Sequence, residues 1–142
     1  MASSVEELCH ALVSAFSEGR VDRLSDHYVY PLVIYLPKGF RVEMTPKETA
    51  ETVFARRAAA VLAGMQTVRL RIAEVAEMEG GRMPVRLSWD FLDSEGRTIA
   101  RSTMRYFCRR AEDGTLRVEM IEFTEIAFPD AAPRPEPPTL RN

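Results

Sequence analysis

Residues 26–40 read DHYVYPLVIYLPKGF and set one histidine and three tyrosines around two prolines and a short β-branched run. An imidazole titrates near neutrality and can shuttle a proton, and a phenol can donate one. Far along the chain, Glu122 interrupts an apolar run formed by Val118, Met120 and Ile126. A carboxylate in such a row must be paired or protonated if it is buried. Arg57, which lies inside the apolar arc of a helix while Arg56 lies outside it, is the partner that could meet Glu122. A bulge in the strand would instead leave Glu122 solvated. Glu122, His27 and Tyr30 are thus the candidate catalytic groups, and their chemistry would be acid-base transfer. The tyrosines sharpen the question. Alternation along an extended segment puts Tyr28 and Tyr30 on one face and Tyr35 on the other, so a site requires Tyr28 or Tyr30 to share a cavity with Glu122. If the rings serve only the core, each hydroxyl bonds to backbone or solvent. His27 at a helix end would equally serve as a cap or surface residue, and His10 falls opposite the apolar stripe of its helix.

Other chemistries lack their residues. No Gly-rich phosphate loop, nucleophile elbow or metal-ligand spacing occurs, so neither a cofactor nor a metal is expected. The net charge of −2, from 19 basic and 21 acidic side chains, offers no footprint for nucleic acid or anionic membranes. The two cysteines, Cys9 and Cys108, have no partner at redox or zinc spacing and read as small buried apolar residues. The stretch MASSVEELCHALVSAF carries acidic residues where a secretory signal needs basic ones, and no apolar run is long enough to span a bilayer, so a cytoplasmic protein is expected.

The elements that must position these groups follow from period and punctuation. In 142 residues with 46% hydrophobic and 28% charged content, one soluble domain is expected, over residues 1–129. Ser4 and Glu7 form a capping pair ahead of Val5, Leu8, Cys9, Leu12 and Phe16, and Gly19 stops this first helix. A short second helix through VDRLSDHY ends before Pro31. LVIYLP and FRVEM read as short strands. Thr45, Pro46 and Glu48 then open a third helix with an apolar face of Ala50, Val53, Phe54, Ala58, Val61, Leu62 and Met65. From Val68 the period becomes two, and the turn signals EGG, DSEG and EDG mark four long strands. A two-residue turn at Glu95 and Gly96 places Trp89 opposite Ser102, Leu87 opposite Met104, Val85 opposite Tyr106 and Met83 opposite Cys108. It also sets Asp90 against Arg101 on the other face. Helices first and a meander afterwards means α+β. The proline-rich remainder, residues 130–142, has almost nothing to bury and is expected to be disordered.

This order resembles the nuclear-transport-factor-2-like superfamily and its SnoaL-like, polyketide cyclase-like branch. The carriers are ALVSAFSEGRVDRLSDHYVYP, TPKETAETVF and DGTLRVEMIEFTEIAF, and the resemblance in element order runs over nearly the whole chain. The resemblance implies a cone: a strongly curved antiparallel or mixed sheet wrapped around three N-terminal helices, with an interior pocket and often a dimer through the convex face. One departure stands out. Many enzymatic members carry an acidic pair after a tyrosine past the second helix, and here Val29 and Tyr30 occupy that place, with Asp26 and His27 nearby. In such a cone the pocket would be lined by Phe16, Tyr28, Phe54, Arg57, Trp89, Met104, Tyr106 and Met120. It would take a small, largely apolar molecule, with cofactor-free isomerase, cyclase or dehydratase chemistry as one outcome. Ile99, Phe107, Ile121 and Phe123 would form an outer apolar strip that a homodimer covers. The alternative is a non-catalytic association module with a filled core. A pocket on the order of a few hundred Å³ is expected for the first reading and only scattered voids for the second.

Overall fold

The computed structural model describes residues 2–129, so the expected disorder of 130–142 lies outside the described residues. Ser4 is extended and its Oγ accepts the Glu7 N–H at 3.2 Å, which opens α1 (Val5–Ser17). Val5, Leu8, Cys9, Leu12, Ala15 and Phe16 are buried along one stripe of this helix. The short α2 (Val21–Leu24) runs into a 3₁₀ turn at Ser25–His27. Then come β1 (Tyr28–Tyr35), β2 (Phe40–Glu43) and α3 (Pro46–Leu62), whose cap is the Thr45 hydroxyl accepting the Glu48 N–H at 3.3 Å. Four strands complete the chain: β3 (Thr67–Val75), β4 (Arg82–Leu92), β5 (Thr98–Arg110) and β6 (Leu116–Glu125).

The strands form one mixed sheet in the order β2-β1-β6-β5-β4-β3. Only β1 and β6 run parallel. The fold is therefore α+β, with three helices against one face of a curled sheet whose edge strands β2 and β3 do not meet. The β4–β5 register is the expected one, with Trp89 facing Ser102, Leu87 facing Met104, Val85 facing Tyr106 and Met83 facing Cys108, but it is reached differently. The turn is the three residues Ser94–Gly96, closed by the Asp93 N–H donating to the Arg97 carbonyl at 2.9 Å, and Ile99 is an extra residue on β5. Gly96 holds φ at 79°, a conformation that side chains with a Cβ rarely adopt.

Strand β6 departs from strict alternation. Cys108 pairs with Val118 but Phe107 pairs with Met120, so Glu119 is an extra residue on the β6 side. A one-residue bulge turns every later side chain to the opposite face. Leu116 and Val118 point inward as expected. Beyond the bulge Ile121 and Phe123 also point inward and are buried, while Met120 and Glu122 turn outward. Glu119 itself pairs on the outer face with Arg82 and Arg109. The outer apolar strip expected from Ile99, Phe107, Ile121 and Phe123 is accordingly not formed, because two of its four members face the interior.

Ion pairs occupy that outer face instead. Asp90 is fully shielded from solvent beneath Arg101 Nε at 2.6 Å, Arg69 Nη2 at 2.9 Å and Arg71 Nε at 3.2 Å. Glu122 lies 2.6 Å from Arg105 Nη2, and the Arg105 guanidinium also stacks over the Phe107 ring at 5.1 Å.

Helix α3 sits in an orientation that its apolar residues do not predict. Phe54, Val61 and Leu62 face solvent, Leu62 at 90% exposure, whereas Thr49, Thr52 and Ala60 are buried. Arg57 fixes the rotation: its Nε donates to the Phe16 carbonyl at 2.7 Å and its Nη2 to the Ser17 carbonyl at 3.1 Å, satisfying the carboxyl end of α1. With Arg57 committed there, Arg56, about 100° around the helix, is turned into the cone.

Candidate functional site

A cavity of about 70 Å³ lies between α3 and the concave face of the sheet. It is smaller than the pocket expected from sequence. An apolar cavity of about 150 Å³ takes a benzene and a single water needs roughly 10–15 Å³, so this space suits a ligand of about three to five non-hydrogen atoms.

Most of the wall is apolar. Phe16 from α1 stands edge-on to Trp89 at 5.5 Å and to Phe91 at 6.0 Å, and Leu32, Ile34, Met104, Ile121 and Phe123 come from the strands. The polar groups gather at β2 and α3. Glu43 is buried, with Oε1 accepting the Thr49 hydroxyl at 2.6 Å and Oε2 lying 3.2 Å from Arg41 Nε. That last pair is close but poorly aligned, so neither Arg41 Nε nor Glu43 Oε2 makes a hydrogen bond among the described residues. Arg56 Nε and Nη2 are likewise shut from solvent without a hydrogen-bond acceptor there. The Phe123 ring lies 5.7 Å from the central carbon of the Arg56 guanidinium, within cation–π range. Burial, reinforced by neighbouring Arg41 and opposed by Glu43, pulls the Arg56 pKa down to about 10, so it is still a cation at neutral pH. Two guanidinium groups thus face one carboxylate.

A second polar chain crosses the cavity floor. Trp89 Nε1 donates to the Tyr106 hydroxyl at 3.2 Å, and the Tyr28 hydroxyl is its neighbour. Burial raises both phenols well above their ordinary range, so both are neutral donors at physiological pH. Tyr106→Phe removes the acceptor of a buried indole N–H. It is expected to cost about 1–3 kcal/mol in urea unfolding, while Tyr30→Phe, whose hydroxyl donates to the half-buried Ser25 carbonyl at 3.3 Å, should cost about 1 kcal/mol or less.

The residues singled out from sequence divide sharply. Phe16, Tyr28, Trp89, Met104 and Tyr106 line the cavity. Arg57 does not, being bound to the end of α1; Phe54 is 64% exposed on the far side of α3; Met120 is turned out by the Glu119 bulge. Glu122 shares that outward face and its Arg105 partner, so no tyrosine of residues 28–35 shares a cavity with it. His27 borders an open surface groove with His10, Arg23 and Asp26, and burial lowers its pKa against the pull of Asp26. Tyr30 caps the 3₁₀ turn, and Tyr35 packs outside against Phe40 at 6.0 Å. Glu43, Arg41 and Arg56 were missed. Their signal lay in FRVEM, where Arg41 and Glu43 alternate with Phe40 and Val42, and in the spacing of Thr49, Thr52 and Arg56 along one side of α3. Burial pushes the Cys9 and Cys108 thiols up to about 11 and about 12, which leaves neither as a thiolate nucleophile. Among the described residues no helix is long and apolar enough to cross a membrane.

Solved structures share this architecture. An NTF-2 like protein of unknown function from Shewanella oneidensis MR-1 superposes with a TM-score of 0.63 at 17% identity, covering 84% of this chain and 94% of that one. An NTF2-like protein with a cystatin-like fold from Novosphingobium aromaticivorans gives 0.64 at 17% identity over 90% and 83% of the two chains. A ketosteroid isomerase-like protein from Erwinia carotovora atroseptica SCRI1043 gives 0.58 at 15% identity over 87% and 94%. At these identities the likeness is one of fold. No curated protein matches the chain significantly. The family model described as NTF2-like protein (DUF6841) matches residues 3–124, and with the helix order and curled sheet in agreement the chain belongs to that NTF2-like family.

Proposed function

We propose that this protein binds a small, largely apolar molecule in the interior cavity, with Glu43 as the cavity group able to move a proton. One observation carries the reading: α3 and β2 turn charged and hydroxyl side chains inward while Phe54, Leu62, Phe40 and Val42 stay in water. A polypeptide folding only to fill its core would do the reverse, since each large apolar side chain left exposed forgoes about 1.5–3 kcal/mol of burial. Glu43 Oε2, lacking a hydrogen bond, is the acceptor best placed for acid-base work, in keeping with the isomerase-like relative.

The test uses Met104, whose methyl group reports on the cavity. Titrating methyl-labelled protein with alcohols, ketones, amides and acids of no more than about five non-hydrogen atoms should give a saturable shift of the Met104 resonance. Val53→Phe, which grows from α3 into the space, should abolish it. Exchange of the α-protons of bound butanone in heavy water should slow in Glu43→Gln. A Met104 signal indifferent to every probe would favour the second reading, an association module, for which the exposed Phe54, Val61 and Leu62 side of α3 speaks.

A further inference from the structure

We propose that the cavity is built for the carboxylate of a short-chain monocarboxylic acid, its two oxygens held by Nε and Nη2 of Arg56. This inference rests on the cavity being a ligand site and names the class of ligand. Its first support is charge. Arg41, Glu43 and Arg56 are the ionisable cavity walls apart from the neutral phenols, and they leave one positive charge uncompensated beside a largely apolar, partly open space, with Arg56 half-buried and its Nε and Nη2 shut from solvent. Burying an unpaired ion is costly, and a bound monoanion removes the imbalance, whereas a dianion would reverse it.

Its second support is shape. The two Arg56 atoms without an acceptor, Nε and Nη2, are the pair on one edge of the guanidinium. Their N–H bonds run nearly parallel and match the spacing of carboxylate oxygens, the side-on form of the bidentate pairing for which arginine is suited and lysine is not. Phe123 lies 5.7 Å from the central carbon of the same group and offers those two N–H groups no acceptor. Glu43 does not fill it, because its oxygens are turned to Thr49 and Arg41. The third support is size. Room for about three to five non-hydrogen atoms is met by acetate or propionate, whose alkyl end would lie against the apolar wall.

The experiment compares propionate with its near isostere propionamide by titration calorimetry and by the Met104 shift, using the full chain. Propionate is expected to bind at least about tenfold tighter, as a hydrogen-bonded charge pair should exceed a neutral one. Arg56→Met should bring propionate down to the amide's level while leaving the amide within about twofold, and Arg56→Lys, which keeps the charge and loses the fork, should retain only part of the preference. Glu43→Gln, which removes the competing negative charge, should tighten propionate. Equal affinity for acid and amide in the native protein overturns the inference while leaving the ligand site standing. So does an acid preference that survives Arg56→Met, or chloride that competes as well as propionate, which would mark a generic anion cavity. If no probe binds at all, the ligand site falls together with this inference.

Discussion

Asp90→Asn is expected to lower the unfolding free energy by about 3 kcal/mol, the low end of the cost of breaking a buried ion pair. The substitution keeps the shape of the side chain and removes only the charge and one acceptor oxygen. Three guanidinium groups then converge on an amide whose NH₂ can accept from none of them. The low end applies because Arg69, Arg71 and Arg101 are about half exposed and water can take over part of their solvation. At roughly 4 °C per kcal/mol for a domain of this size, the melting temperature should fall by about 12 °C. The pH dependence has a definite sign. Burial would raise the Asp90 pKa, but hydrogen bonds from Arg101 and Arg69 outweigh it and hold the carboxyl below its ordinary value. The folded state therefore binds this proton less readily than the unfolded state, whose aspartate titrates near 3.9. The stabilisation is complete above that value and is lost as pH falls through the folded one. Urea unfolding followed from pH 6 to pH 2 should show a steeper acid loss in the native chain than in Asp90→Asn. Parallel curves would mean that the arginine cluster contributes nothing to stability.

The same residue shows how far the sequence could be read. Asp90 against Arg101 followed from the local turn signal DSEG, because a short connection holds two long strands close to one register. The turn spans Ser94–Gly96 instead of two residues, and the extra residue Ile99 brings the pairing back to the expected one. Helix caps at Ser4 and Thr45 were legible for a similar reason: each satisfies its own backbone groups within three residues. Glu122 was not legible, since its side depends on one extra residue at Glu119. Two arginines from neighbouring strands, Arg82 and Arg109, hold Glu119 outside, and the chain beyond it turns over so that Ile121 and Phe123 enter the cone. Arg56 and Arg57 were exchanged for an equally physical reason. Adjacent helical residues differ by about 100°, and a guanidinium anchored 41 positions away on the Phe16 carbonyl decides which one faces inward. Hydrophobic periodicity places a helix but cannot foresee a long-range hydrogen bond that rotates it. It fails most where charged and hydroxyl side chains are turned inward, as on both β2 and α3.

Arg56→Met is accordingly expected to stabilise the fold, by about 1–3 kcal/mol. In most buried ion pairs the loss of one partner strands the other, but Arg56 is the surplus cation, so its removal leaves Arg41 and Glu43 matched. Methionine has similar length and can keep contact with the Phe123 ring through its sulfur. The advantage should itself depend on pH. Since the Arg56 pKa is pulled down to about 10, the fold disfavours the charged form, and the penalty is fully present below that value. As pH rises from 10 towards the ordinary arginine range the native chain sheds the penalty, so the gap between it and Arg56→Met should narrow between pH 7 and pH 11 in urea unfolding. A variant less stable than the native chain at pH 7 would mean that Arg56 is satisfied within the cone, and would count against an empty anion site. A gain in stability together with the loss of propionate preference separates the two roles a buried arginine can have. The fold does better without it, and the ligand does not.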